Sequence, residues 1–249
     1  MADPRVDFEA WLASPGGHYL MSWEHTKVDA AVVDAFGYFA FQMGMTEQNF
    51  LDANRMPHRK MAGLANVQGK APEYQKGAHL LLDPHFLPFQ PNHLDLLVYP
   101  HALERCRNPQ QAIREAERVL VPDGRLIITG LNPYGLKAVG KDILRLGRRL
   151  KVPPEGRTAA RPIAIWRLKE WLQLLGFEIE SVQIGGDRHP HWFGQPLWGL
   201  GYCIVAVKKV PGMRLLTAPW QKRPAAVSAL GHAARNRSDV RSAVQDKLK

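Results

Sequence analysis

The 249-residue chain carries 33 Lys and Arg against 23 Asp and Glu, a formal net charge of +10, and is long enough for one well-filled α/β domain with a short appendage. No apolar run approaches the ~20 residues that span a bilayer, and MADPRVDFEAW lacks a basic leader followed by a long apolar region, so neither a spanning helix nor secretion is expected. Cys106 and Cys203 stand far apart without metal or redox spacing, which fits free thiols in a reduced, cytoplasmic compartment.

In chain order, Phe8, Trp11 and Leu12 fall on one side of a short helix that Ser14-Pro15-Gly16-Gly17 is expected to break. Tyr19, Leu20, Met21 and Trp23 resume an apolar pattern suited to core packing. His79–Leu82 and Leu94–Tyr99 read as short buried strands. The first closes at Asp83 with the turn Pro84-His85 and the plug Leu87-Pro88-Phe89; the second ends at Pro100-His101. Asn108 then caps a helix with Pro109 in its first turn, and Ala112, Ile113, Ala116, Val119 and Leu120 give it one apolar face. Pro122-Asp123-Gly124 turns the chain into a third strand, Arg125–Thr129. Such a series implies a parallel sheet with its ligand crevice at the strands' carboxyl ends.

The positive charge is localised. Lys137–Arg161 contributes +6, eight basic residues against Asp142 and Glu155, and Ala218–Lys249 contributes +5, seven against Asp239 and Asp246. Leu136, Val139, Ile143, Leu146 and Leu150 form an apolar stripe, so a basic amphipathic helical insertion is expected at about 136–161. It can cover an anionic substrate, lie on a membrane surface or dock on its own domain. The tail, 218–249, reads as disordered or weakly helical. A domain over 1–217 precedes it. His189-Pro190-His191-Trp192 lacks further ligands at metal spacing, so no metal is expected.

In these residues the chain resembles the class I S-adenosylmethionine (SAM)-dependent methyltransferases, in the methyltransferase type 11 branch. The resemblance is carried by Asp83 with Leu87-Pro88-Phe89, Leu94-Asp95, His101-Ala102-Leu103-Glu104, Asn108-Pro109, Arg118-Val119-Leu120 with Pro122-Asp123-Gly124, and Asn132-Pro133. Arg167–Glu178 matches the helix and strand start that come next in the family, and Ile204–Leu216 looks like the last strand of a YafS-like group. The resemblance implies a Rossmann-like fold with a mostly parallel seven-stranded sheet flanked by helices, and SAM as cofactor.

The same resemblance supplies the candidate site. Such enzymes begin with an acidic-G-x-G-x-G loop, whose nearest counterpart is Val32–Ala40 with Asp34 and the single glycine Gly37. Gln42 or Asn54 would add side-chain hydrogen bonds, and Asp52 stands at the spacing of the acid that holds the ribose. Asp83, His85 and Phe86 correspond to the turn that holds the adenine, and Tyr99 and Pro100 to the pocket wall. His101 is the candidate catalytic base, with loop or packing duty as the alternative. Tyr134, Trp166 and Arg167 are placed to face substrate, and Tyr19 or Trp23 to fold over the cofactor.

The reading is a SAM-dependent methyltransferase acting on a small or carrier-bound anionic molecule. Two alternatives remain: a degenerate methyltransferase-like binding protein without activity, and an RNA methyltransferase. Nucleic acid is not favoured, because no separate RNA-binding module is present.

Overall fold

Strand and helix signals in this chain resolve, in the computed structural model, into nine strands and four helices among the described residues, which are 6–7, 12, 15–65, 80–135, 159–186 and 199–210. They are β1 Val6–Asp7, α1 Pro15–Val33, β2 Phe39–Met43, β3 His58–Leu64, β4 Leu81–Leu82, β5 Leu94–Pro100 and α2 Ala102–Arg105. Next come α3 Pro109–Val119, β6 Leu120–Leu131, β7 Ala159–Ala160, α4 Ile165–Leu174, β8 Phe177–Gly185 and β9 Gly201–Lys208.

Seven strands form one sheet in the order β4-β3-β2-β5-β6-β9-β8, and β1 and β7 pair separately. The ladders β4-β3, β3-β2, β2-β5 and β5-β6 are parallel, while β9 runs antiparallel to both neighbours. The central strands are apolar at nearly every position, LDLLVYP in β5 and GYCIVAVK in β9, as strands covered on both faces must be. Rungs Gln42–Val98 and Pro100–Thr129 bring the carboxyl ends of β2, β5 and β6 together. The ends of β3 and β4 lie beside them through Gly63–Leu81 and Leu64–Leu82.

One face of the sheet packs on α3 and α4, with Tyr99, Ile113, Ala116, Leu168, Leu172 and Ile204 in the core. The other packs on α1, whose Leu20, Val28 and Val32 meet Leu96, Val98, Ile127 and Cys203. At the amino end, Lys208 Nζ donates to the carbonyls of Glu117 (2.6 Å) and Leu120 (2.9 Å), closing the C-terminus of α3. Asn108 caps α3 as its sequence indicates, accepting from the Gln111 N–H at 3.2 Å.

Several expectations shift. Pro15 begins α1, since proline's missing N–H is harmless in a first turn, and Gly16 and Gly17 lie within that helix. Leu12 is helical and partly packed on the α1 face of the core. Val32 and Val33 therefore end α1 and are not part of a strand-end loop. The third strand begins earlier than Arg125, because Pro122-Asp123-Gly124 loops out between the rungs Leu94–Leu120 and Leu96–Arg125. Phe8, Trp11, most of the basic insertion (136–158), the segment His189–Trp192 and the tail 218–249 lie outside the described residues.

Candidate functional site

The carboxyl end of β2 is where the chain first needs a glycine for ligand access. Gly44 comes directly after Met43 with φ +97, a conformation that favours glycine. A Cβ there would lie 3.1 Å from the Pro100 carbonyl oxygen, so the turn passes close to the end of β5. Gln42, fully buried, organises the loop after β2. Its Nε2 donates to the carbonyls of Gly44 (3.1 Å), Met45 (3.1 Å) and Gln48 (2.7 Å), and its Oε1 accepts from the Phe50 N–H (2.8 Å). The loop is thus held from beneath by one amide. Thr46 and Gln48 stand where further glycines of the resembled loop would fall, and 44–57 forms turns with no regular helix.

The sequence-derived loop lies elsewhere. Gly37, φ +154, precedes β2 at the amino end of the sheet. It admits the Asp95 carboxylate, which accepts from the N–H groups of Tyr38 (2.8 Å) and Phe39 (2.9 Å). Asp34 is exposed near the same end. Neither residue reaches the carboxyl-end crevice, which corrects their assignment. Asp52 is exposed in the β2–β3 connection, where Asn49 Nδ2 donates to it, and not at the end of the second strand. That strand is β3, ending at Leu64 with Ala65 next, so the ribose position holds no acid there. Asn54 donates to the carbonyls of Val32 (2.7 Å) and Ala35 (3.1 Å), a structural tie to α1.

After β4, the Asp83 side chain is half exposed (49%) and its Oδ1 accepts from the His85 N–H at 2.9 Å, the geometry of an Asx turn. Asp83 is therefore not a buried acid. His85 Nδ1 also meets Asp83, while its Nε2 accepts from the Asn108 N–H at 3.2 Å, joining this turn to α3. Phe86 is exposed at the same corner. Tyr99 points into the core with its hydroxyl unpaired among the described residues, and burial pushes that hydroxyl's pKa well up. Its side chain therefore lies in the core, which leaves only its backbone for a pocket wall. Pro100 is buried, and its carbonyl faces Gly44.

His101 ends β5 in the left-handed region, φ 49, and is fully buried. Its Nδ1 meets Glu104 Oε2 at 3.0 Å and its Nε2 meets Glu24 Oε2 at 2.9 Å. Thr129 Oγ1 donates to the same Glu24 oxygen (3.1 Å), and Glu104 accepts from the Leu131 N–H. Burial pulls the His101 pKa down, but the carboxylates of Glu24 and Glu104 outweigh it and raise it to about 10. Burial raises the Glu24 pKa, an effect that His101 partly offsets. With both ring nitrogens on carboxylates and the side chain fully buried, His101 is engaged in the interior and is not presented to a substrate at the surface of the crevice.

Beyond the single turn of α2 lies a cleft of about 450 Å³. A Cβ at Gly44 would lie 3.4 Å from the Ala102 Cβ, while Leu103 and Cys106 line the cleft. Arg107, Tyr134, Arg161, Trp166 and Arg167 complete its polar and aromatic wall. Trp166 Nε1 donates to Tyr134 Oη at 3.3 Å, and the Arg167 guanidinium lies 5.3 Å from the Trp166 ring centre. Tyr134, Trp166 and Arg167 are thus brought together at one cleft. Trp23 packs instead against Gly185, and Tyr19 is part-exposed on α1.

Sequence reasoning missed Gly44 and Glu24. Gly44 comes after the alternating run Phe39–Met43, and Glu24 sits in the stripe Leu20, Glu24, Val28, Val32, where a core-facing acid is the signal.

A SAM-type cofactor fits these residues at two points. Gly44 opens the backbone at the end of β2, and Asp83 with Phe86 offers an acceptor and an exposed ring at the end of β4. The ribose acid has no counterpart at the end of β3.

Residues 57–128 match the family described as "Methyltransferase domain". The protein YafS of Escherichia coli is 36% identical over 100 residues, which are 39% of this chain and 38% of YafS, so the match spans well under half of that relative. The solved complex of the Haloferax volcanii Trm112 methyltransferase activator with a methyltransferase contains a chain that superposes with TM-score 0.53 at 16% identity, covering 84% of this chain and 98% of that one. A SAM-dependent methyltransferase from Aquifex aeolicus gives 0.50 at 15% identity, covering 80% and 96%. By its sheet order and its likeness to these solved structures, this chain has the Rossmann-like fold of the class I methyltransferases.

Proposed function

We propose that the chain is a SAM-dependent methyltransferase whose cofactor lies over the carboxyl ends of β2, β4 and β5, and whose acceptor is a small or carrier-bound anionic molecule. The observation that carries this reading is the Gly44 turn, fastened from beneath by Gln42 and set against the Pro100 carbonyl. A bound SAM supplies an electrophilic methyl group on a sulfonium. The chain's own part is positional, because in-line displacement needs aligned reactants and little water more than a dedicated base. The turn at Gly44–Thr46 holds the donor end, Asp83 accepts from an amine at the other end, and Glu24, His101 and Glu104 keep the floor of the crevice rigid.

Titration of the purified chain with S-adenosylhomocysteine tests the reading. One-to-one binding that Gly44→Val abolishes is the expected result. No binding up to millimolar ligand overturns it. The absent ribose acid and the missing glycines favour a second reading, a methyltransferase-fold binding protein without activity.

A further inference from the structure

The cleft beyond α2 joins three guanidinium groups to exposed aromatic rings. Arg107, Arg161 and Arg167 line it, and no acidic residue is among its described lining. Tyr134 is 50% exposed and Trp166 56%, so both rings are open to a ligand at the cleft. Their hydroxyl and indole N–H meet each other, so the rings are held as a fixed edge rather than left to swing. Pro133, Pro162, Ile163 and Trp171 supply an apolar wall behind them. At about 450 Å³ the cleft has the size of a small-molecule site. α4 enters it at Ala164, a residue with no side chain to cap the helix, and its first turn carries no acid. The helix start adds to the positive potential of the arginines.

We infer that this cleft binds a small aromatic anion, a ring bearing a phosphate or carboxylate, with the arginines on the anionic group and Tyr134 and Trp166 against the ring. Guanidinium groups match such oxyanions through paired N–H donors, and aromatic edges supply apolar area at little entropic cost. This deepens the methyltransferase reading and rests on it for the ligand's role as acceptor.

The test is calorimetric titration of the full chain with phenyl phosphate, with inorganic phosphate and phenol titrated separately as its two halves. Wild-type protein is expected to bind phenyl phosphate more tightly than either half. Arg107→Gln combined with Arg167→Gln is expected to weaken it at least about tenfold, the loss of a charge-assisted hydrogen bond. Trp166→Leu is expected to bring phenyl phosphate down to the level of inorganic phosphate. Arg125→Gln removes one such charge from the middle of β6, outside the cleft lining, and is expected to bind as wild type. No wild-type binding up to about 10 mM, weaker than the weakest specific sites, overturns the inference. So does equal binding by the double-arginine variant. Each variant is also titrated with S-adenosylhomocysteine. Loss of that binding in wild type sinks the methyltransferase reading and leaves the anion site standing, whereas its retention with no phenyl phosphate binding sinks the anion site alone.

Discussion

Glu24 on the leading helix and His101 at the end of β5 meet at 2.9 Å, both fully buried and 77 residues apart in sequence. The pair fastens α1 across the sheet just beneath the candidate cofactor crevice. Removing Glu24 takes the buried acceptor from both His101 Nε2 and the Thr129 hydroxyl and leaves Glu104 as the remaining carboxylate on the imidazole. Glu24→Ala is therefore expected to cost about 3–5 kcal/mol in urea unfolding, and Glu24→Gln less because it keeps a hydrogen-bonding group. A loss under about 1 kcal/mol for Glu24→Ala would place the pair among weak surface contacts.

The same pair makes stability depend on pH. The His101 pKa rises from 6.5 in the unfolded chain to about 10 in the folded one, so the folded state holds this proton more tightly. Its contribution is fully present below about pH 6.5 and is lost as pH rises through about 10. Glu24, also raised, acts in the same direction. Denaturation midpoints should fall steadily from pH 7 to pH 10, and His101→Gln should flatten that slope. An unchanged slope in the variant contradicts the account.

Gln42 makes four hydrogen bonds to the loop after β2. Gln42→Leu keeps the volume but strands those backbone groups, so a loss of about 1–3 kcal/mol in stability is expected. S-adenosylhomocysteine affinity should fall with it. Asp34→Asn and Asp52→Asn, both exposed and outside the crevice, should leave affinity unchanged.

Asp83 is half exposed and already caps its own turn. Asp83→Ala is expected to weaken S-adenosylhomocysteine binding by about 1 kcal/mol, near the lower end for a lost hydrogen-bond partner. A loss of several kcal/mol, read by calorimetry, would mean that this turn carries more of the cofactor than its exposure implies.

Cys106 and Cys203 are buried, and burial pushes each thiol up to about 12. Cys203 should not react with a disulfide reagent at pH 8 until the chain unfolds, and Cys106, which lines the cleft, should react only slowly because its thiol stays protonated. Rapid labelling of the native protein would show that one of these faces opens locally.

The second half of the sheet was legible because its strands are buried on both faces and its helix has a cap, a proline and one apolar stripe. β5 and α3 fall within a residue of their sequence reading. The first half was not. β3 begins with His58-Arg59-Lys60, exposed at all three positions, so it lacks the apolar run that marks an inner strand. Gly37 looked like the loop glycine because it stands near the expected place, yet its freedom serves the Asp95 contact at the amino end. His101 read as a base by position alone. Its partner Glu24 was visible only as an acid in an apolar stripe of α1, and the sheet had to be assembled before the two could be paired.

The most direct measurement is backbone amide NMR of the chain titrated with S-adenosylhomocysteine. The account predicts shifts clustered at Gly44–Thr46, Ala65, Asp83–Phe86 and His101, with the amides of Asp34–Tyr38 unmoved. Shifts centred on Gly37, or a spectrum that does not change, would contradict it.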